Sequence, residues 1–214
     1  KNERFLPKNA QSLFEETINN KNQHANKKYF IIKTIILNNL YGVDIMNEAV
    51  ETTKLRLFLA LVSTATPDYD EDNVGIEPLP DIDFNVKCGN ALIGYSSENM
   101  LEKECELSKN CLLKQLLLYV SNETKEFKRI QLLPDKDKTH LKGKKAEICN
   151  KQEQINDILN HTLTTKIESD YLNWRKKSQP FNWYSEYYNI ISEANGRGGF
   201  DIIIGNPPYV EYKS

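Results

Sequence analysis

Residues 200–204, Phe-Asp-Ile-Ile-Ile, run directly into Gly205-Asn206-Pro207-Pro208-Tyr209. A β-branched run closed by Gly and two prolines predicts a buried strand that stops abruptly, because proline donates no backbone hydrogen bond and cannot continue a ladder. The prolines also fix their own φ and push the residue before each of them toward extended backbone, which holds the loop in one shape. On that loop the Asn206 side chain and the Pro207 carbonyl offer two acceptors close together, and Tyr209 adds an aromatic face. Two acceptors beside a stacking ring suit a planar base that carries an exocyclic amino group and has been turned out of its stack. A rigid turn without chemistry can share the same tripeptide, so the weight of this reading comes from the rest of the chain.

Upstream, helices and short strands alternate. Residues 1–26 are polar and predict a short helix from about Ala10 to Asn19, then a loop. Lys27 to Asn39 reads as a mostly apolar helix that packs on a sheet, and Leu40 to Ile45 as a short strand ending in an acid. Asn47 is placed to cap a helix through Val62, with Val50, Leu55, Leu57, Phe58, Leu59 and Leu61 as its buried stripe. A strand followed at once by a capped helix is half of a parallel α/β unit. Residues 63–80 form a loop, and Phe84 to Cys88 the next strand, closed by Gly89-Asn90. From residue 98 to 178 the character changes, with one Gly and one Pro among dense Leu, Lys and Glu. Apolar residues there recur at helical spacing on both sides of a break at Leu133–Asp137, which predicts two long antiparallel helices, a hairpin set between strands. Beyond Pro180 the chain turns aromatic, and Asn195 to Gly199 is a flexible turn into the last strand.

Composition excludes several classes. At 214 residues the chain suits one substantial domain, or a domain with an insertion. With 39% hydrophobic and 27% charged residues it reads as soluble, without an apolar run long enough to cross a bilayer and without a secretory leader. A cytoplasmic protein is expected. A net charge of −2 cannot hold a nucleic acid tightly by overall field. Lys125 to Lys151 does carry nine Lys/Arg against four Asp/Glu, a pattern that suits a solvated helix face first and phosphate contact second. Cys88, Cys105, Cys111 and Cys149 lack metal-type spacing, and His24, His140 and His161 are scattered, so reduced thiols and no metal are expected. The chain does not begin with Met, which suggests a piece of something longer.

Asn206-Pro207-Pro208-Tyr209 behind a hydrophobic strand resembles the catalytic motif of amino-group DNA methyltransferases acting on adenine. The longer string Gly198 to Val210 resembles the type IIG, Eco57I-like restriction–modification methyltransferases. Asn39 to Ile45 is similar to the S-adenosyl-L-methionine motif of that group. There an acid at the end of the second strand accepts hydrogen bonds from ribose hydroxyls, which assigns that role to Asp44 and an adenine-packing role to Ile45. Cys88 to Gly94 is similar to the family's Gly-Asn-Ser-Leu segment, with Ala91 where Ser is usual; Asn90 would bond the cofactor's adenine amino group. Taken alone, Asp44 also reads as an ordinary N-cap and Gly89-Asn90 as an ordinary turn. Their order along the chain matches successive strands of the methyltransferase sheet. Phe181-Asn182-Trp183 with Glu186 resembles an aromatic–acid segment that precedes the catalytic strand, where packing is favoured over base stacking for Trp183 and Tyr187.

The resemblance implies an α/β fold, a partial Rossmann-like class I methyltransferase with an inserted α-helical hairpin. Residues 1–97 would hold the N-terminal helices and the cofactor-binding part, 98–178 the hairpin, and 179–214 the return to the sheet with the catalytic loop. It further implies S-adenosyl-L-methionine as cofactor and double-stranded DNA as partner through a full-length parent, with neither metal nor membrane. Asn206, Pro207, Pro208 and Tyr209 would carry transfer to adenine N6 in a restriction–modification system. Cytosine N4, RNA or a protein Gln are alternative acceptors, and a non-catalytic helical scaffold over 98–178 is the alternative outside enzymes. The family's Gly-rich turn after the first strand has no counterpart, since no Gly precedes Gly42. No Pro-Asp…(Asp/Glu)-x-Lys nuclease signature appears either. The isolated chain is therefore expected to bind cofactor weakly or not at all.

Overall fold

A computed structural model of the chain describes residues 26–70, 72–105, 111–133, 139–164, 170–192 and 198–206. Helix α1 (Lys27–Asn39) has the expected span and buries Tyr29, Phe30, Ile36 and Leu37. Lys33 is fully buried among them, its charge met by Glu77 at 2.9 Å. The helix ends without a glycine, with Leu40 extended at φ −104. Its orphan carbonyls are satisfied from a distance: Asn85 Nδ2 donates to the carbonyls of Ile36, Leu37 and Leu40 at 3.0, 2.9 and 2.8 Å. Asn85→Ala strands those buried acceptors, and a loss of about 2–3 kcal/mol is expected in a urea unfolding experiment.

Strands β1 (Gly42–Asp44) and β2 (Val86–Cys88) pair in parallel, Gly42 opposite Val86 and Asp44 opposite Cys88. Between them runs α2 (Asn47–Val62), which completes the parallel unit the sequence suggested. Its entry differs from expectation. Asn47 lies inside the helix and caps nothing; Asp44 Oδ1 instead accepts from the Met46 amide at 2.8 Å and turns the chain. The stripe is also narrower than predicted. Val50 and Leu61 are buried with Leu57 and Phe58 packed beside them, whereas Leu55 and Leu59 are 57% and 60% exposed. At 100° per residue positions 50, 57 and 61 share one face, while 55, 59 and 62 fall on the opposite one, and only the first meets the sheet.

The helical region holds α3 (Glu98–Cys105), α4 (Cys111–Gln131), α5 (Thr139–Thr164) and α6 (Tyr171–Ser178). Helices α4 and α5 pack antiparallel: Tyr119 donates to Glu147, and Lys144 meets Glu123, so partner numbers fall as the chain advances. Leu113, Leu117, Phe127, Ile148, Ile155 and Leu159 fill their seam, together with Phe84 and Tyr184 from the α/β side. Lys145 ties α5 to Asp81 and Asp83 ahead of β2. Within the basic run, Arg129, Lys144 and Lys145 are thus ion-paired and Lys128 is buried, which leaves less of it for phosphate contact. Helix α6 is capped by Asp170 and closed by Gln179 in the left-handed region at φ 44. A parallel bridge between Asn90 and Pro180 returns the chain to the sheet, followed by the short helices α7 (Trp183–Glu186) and α8 (Tyr188–Ile191).

The run after Gly199 overturns an expectation. Ile202, Ile203 and Ile204, predicted as a buried strand, are 80%, 81% and 91% exposed, and no strand pairs with them among the described residues. A β-branched run is buried only when a neighbouring strand takes its backbone bonds, and β1–β2 is the whole of the described sheet. Pro207, Pro208 and Tyr209 lie outside the described residues, as do the fragment Ala10–Asn19 and the Asn195–Arg197 part of the turn.

Candidate functional site

Parallel pairing puts the carboxyl ends of both strands at one edge, where ligands of open α/β sheets are held. Asp44 and Ile45 leave β1 there, and Gly89, Asn90 and Ala91 leave β2. The Gly89 amide donates to the Asp44 carbonyl at 2.9 Å, which locks the two segments side by side. The structure therefore brings together all four residues assigned to the cofactor.

Their chemistry differs in readiness. Asp44 is exposed, and its Oδ1 is engaged by the Met46 amide. Its second carboxylate oxygen has no partner among the described residues and is free to accept. Ile45 is 49% exposed and supplies an apolar platform next to it. Asn90 is half-buried; its Oδ1 accepts from the Leu92 amide at 3.1 Å, and its own amide donates to the Gln179 carbonyl at 2.7 Å. One lone pair on Oδ1 remains. Ala91 fixes the loop by its carbonyl, which accepts from Trp183 Nε1 at 2.9 Å. The Cys88 thiol donates to the Ile45 carbonyl at 3.5 Å. Burial, followed by the carboxylates of Asp44 and Glu48, raises its pKa, so it stays a thiol and a poor nucleophile at neutral pH.

An aromatic cluster sits directly behind this edge. Phe181, Tyr187 and Ile190 form its core, with Tyr41, Val43, Trp183 and Phe200 against them. Tyr187 is buried, and its hydroxyl donates to the Asn85 carbonyl at 3.0 Å and the Gly42 carbonyl at 3.2 Å, bracing β1 against β2. Burial raises its pKa strongly. Glu186 pairs with Lys87 at 2.5 Å and accepts from Asn156 at 2.8 Å, joining β2 to α5. The aromatic segment thus serves packing, as the sequence favoured for Trp183 and Tyr187.

Phe200 lies 5.7 Å from the Tyr41 ring, 5.6 Å from Tyr187 and 6.2 Å from Trp183, so the segment that leads to Asn206 is rooted in this cluster. Asn206 is exposed and makes no hydrogen bond among the described residues. Extended chain of that length spans about 20 Å at most, which tethers Asn206 to the edge carrying Asp44 and Asn90 without placing it there. Sequence reasoning missed Asn85 and Lys128. The signal for Asn85 is a lone amide between Phe84 and Val86. Among the described residues no three His, Cys, Asp or Glu side chains gather as metal ligands, and no helix is long and apolar enough to cross a membrane.

Residues 38–214 match the family described as Eco57I restriction-modification methylase, and the chain belongs to that family. It is also 33% identical over 221 residues to a protein of Methanocaldococcus jannaschii whose name assigns it, provisionally, as a type II restriction enzyme and methyltransferase. That alignment covers 82% of this chain and 18% of the relative, so the chain spans under a fifth of the relative's length. No solved structure matches.

Proposed function

We propose that this chain carries the adenosine-binding edge and the catalytic loop of a site-specific DNA methyltransferase within a restriction–modification system. The observation that carries the reading is the meeting of Asp44 and Asn90 at the carboxyl end of paired parallel strands, with Phe200 rooted behind them. Family membership supports the reaction class, and Asn206-Pro207-Pro208-Tyr209 supports adenine N6 as the acceptor.

The residues present fit the adenosine half of S-adenosyl-L-methionine. An exposed carboxylate with a free oxygen suits a ribose diol, Ile45 suits an adenine face, and the open lone pair of Asn90 suits an amino group. When bound, that cofactor supplies an electrophilic methyl group. The protein's part is to hold the acceptor: Asn206 and the Pro207 carbonyl accept both hydrogens of the adenine amino group, which directs its nitrogen lone pair outward, and Tyr209 stacks on the flipped base. Pro208 keeps the loop rigid. No protein nucleophile is needed, in keeping with a Cys88 that stays protonated. Helices α3–α6 read as an insertion, because the bridge between Asn90 and Pro180 closes the chain across them.

The test is product analysis. The full-length enzyme, given duplex DNA and methyl-labelled S-adenosyl-L-methionine, is expected to yield N6-methyladenine in a nucleoside digest. Label in N4-methylcytosine would reassign the acceptor, and label in no nucleoside would overturn the reading.

A further inference from the structure

Lys128 sits in the last turn of α4 and is 5% exposed, with no carboxylate paired to it among the described residues. A buried, unpaired ammonium is costly, and chains keep one where it has a task. Its contacts are specific. Lys128 Nζ donates to the Tyr41 hydroxyl at 3.2 Å and lies 4.6 Å from the centre of that ring, within cation–π range. The Tyr41 hydroxyl in turn donates to the Asn38 carbonyl at 3.3 Å, at the end of α1. The Tyr41 ring meets Tyr187 edge-on at 5.2 Å and Phe200 at 5.7 Å. One lysine of the helical layer therefore grips the residue that enters β1 and backs the root of the Asn206 segment.

Its surroundings make the grip sensitive to charge. A cavity of about 20 Å³ beside Lys128 is lined by Lys87 of β2, by Ile148 and Gln152 of α5, and by Glu186 and Tyr188 of the return segment. Glu186 is taken by Lys87. Ser121 Oγ and Gln152 Oε1 border the cavity without a hydrogen-bond partner among the described residues, and its size admits one water. Burial, then the neighbouring Lys87, lowers the Lys128 pKa to about 7. The cation–π attraction exists only in the charged form, whereas the neutral amine keeps only the hydrogen bond.

We propose that Lys128 is a positioning residue that holds Tyr41 and, through it, seats Phe200 beneath the segment carrying Asn206. This rests on the role given to Asn206 above, so its first test avoids methyl transfer. The chain has two tryptophans, Trp174 and Trp183, and Trp183 lies 6.2 Å from Phe200. In a W174F background, Trp183 emission is expected to shift between pH 6 and 9 with an inflection near 7. Lys128→Met, close to isosteric, is expected to abolish that inflection, and Tyr41→Phe, which keeps the ring, to diminish it. An inflection that survives K128M belongs to another group and overturns the proposal, as does its absence from the W174F chain. In the full-length enzyme K128M is then expected to slow single-turnover transfer roughly ten- to a hundredfold with cofactor affinity unchanged within about twofold. An unchanged rate overturns the proposal. Loss of the inflection in K128M together with no methylation by the unmodified enzyme faults the proposed function alone.

Discussion

Asn206→Ala in the full-length enzyme is expected to lower the methyl-transfer rate by at least about a hundredfold, the scale on which removing one polar group aimed at a reacting centre registers. The side chain is exposed and bonded to nothing among the described residues, so its loss removes no interaction among them. Exposed substitutions of that kind shift stability by about 0.5 kcal/mol or less, and thermal unfolding should be unchanged. Under the proposed function the rate falls because the amino nitrogen of adenine is a weak nucleophile whose lone pair is delocalised into the ring. An acceptor on each amino hydrogen draws the nitrogen toward a tetrahedral arrangement; with one acceptor gone, the lone pair is no longer held on the line of transfer. The loss should appear in the turnover rate, with DNA affinity nearly constant, because the group acts at the reacting centre rather than along the duplex. Asn206→Asp restores an acceptor at the same place and should recover part of the rate. An alanine variant with undiminished transfer would remove Asn206 from the chemistry and leave its loop a plain turn.

What was legible in the sequence is what local pattern controls. Helix α1 appears with its predicted span because its apolar pairs recur at helical spacing. The strand–helix–strand order around Asp44 appears because short apolar runs are punctuated by Asp, Gly and Asn. The candidate cofactor residues meet for the same reason: parallel pairing of β1 with β2 leaves Asp44 and Gly89-Asn90 no other edge to share. The failures are non-local. Ile202 to Ile204 carry a strand's composition, but burial of a strand requires a partner elsewhere in the chain. Leu55 and Leu59 look like core, but lie on the side of α2 that the sheet does not reach. Lys128 was grouped with a basic run, yet residues 113, 116, 117, 120, 121, 127, 128 and 131 follow helical spacing and place it on the buried stripe of α4. Charge counting hid what periodicity would have revealed.

Gly94→Ala is expected to destabilise the chain by about 3–5 kcal/mol, through backbone strain and overpacking together. Gly94 holds φ +139, outside the range that L side chains adopt. An added Cβ would stand 2.3 Å from the Phe181 carbonyl oxygen, 2.7 Å from its carbon and 3.0 Å from Asn182 Oδ1. Neither backbone can yield cheaply. The Phe181 amide donates to the Ile93 carbonyl at 2.7 Å, the Tyr95 amide to Asn182 Oδ1 at 3.1 Å, and Asn182 Nδ2 to Asn160 Oδ1 at 3.0 Å. These bonds sew the loop after β2 to the return segment and to α5, so the clash must either open that seam or twist residues 89–94. Twisting displaces Asn90 from the edge it shares with Asp44, and cofactor affinity of the full-length enzyme should fall along with stability. Gly143→Ala supplies the control. That glycine lies within α5 with nothing within 4 Å of a built Cβ, so the same added methyl should stabilise by about 0.5–1 kcal/mol through helix propensity. Urea unfolding of both variants should therefore move in opposite directions from the parent midpoint. A Gly94→Ala chain that unfolds where the parent does would show that the Phe181 seam is loose, and that the loop bearing Asn90 is positioned by something other than this close approach.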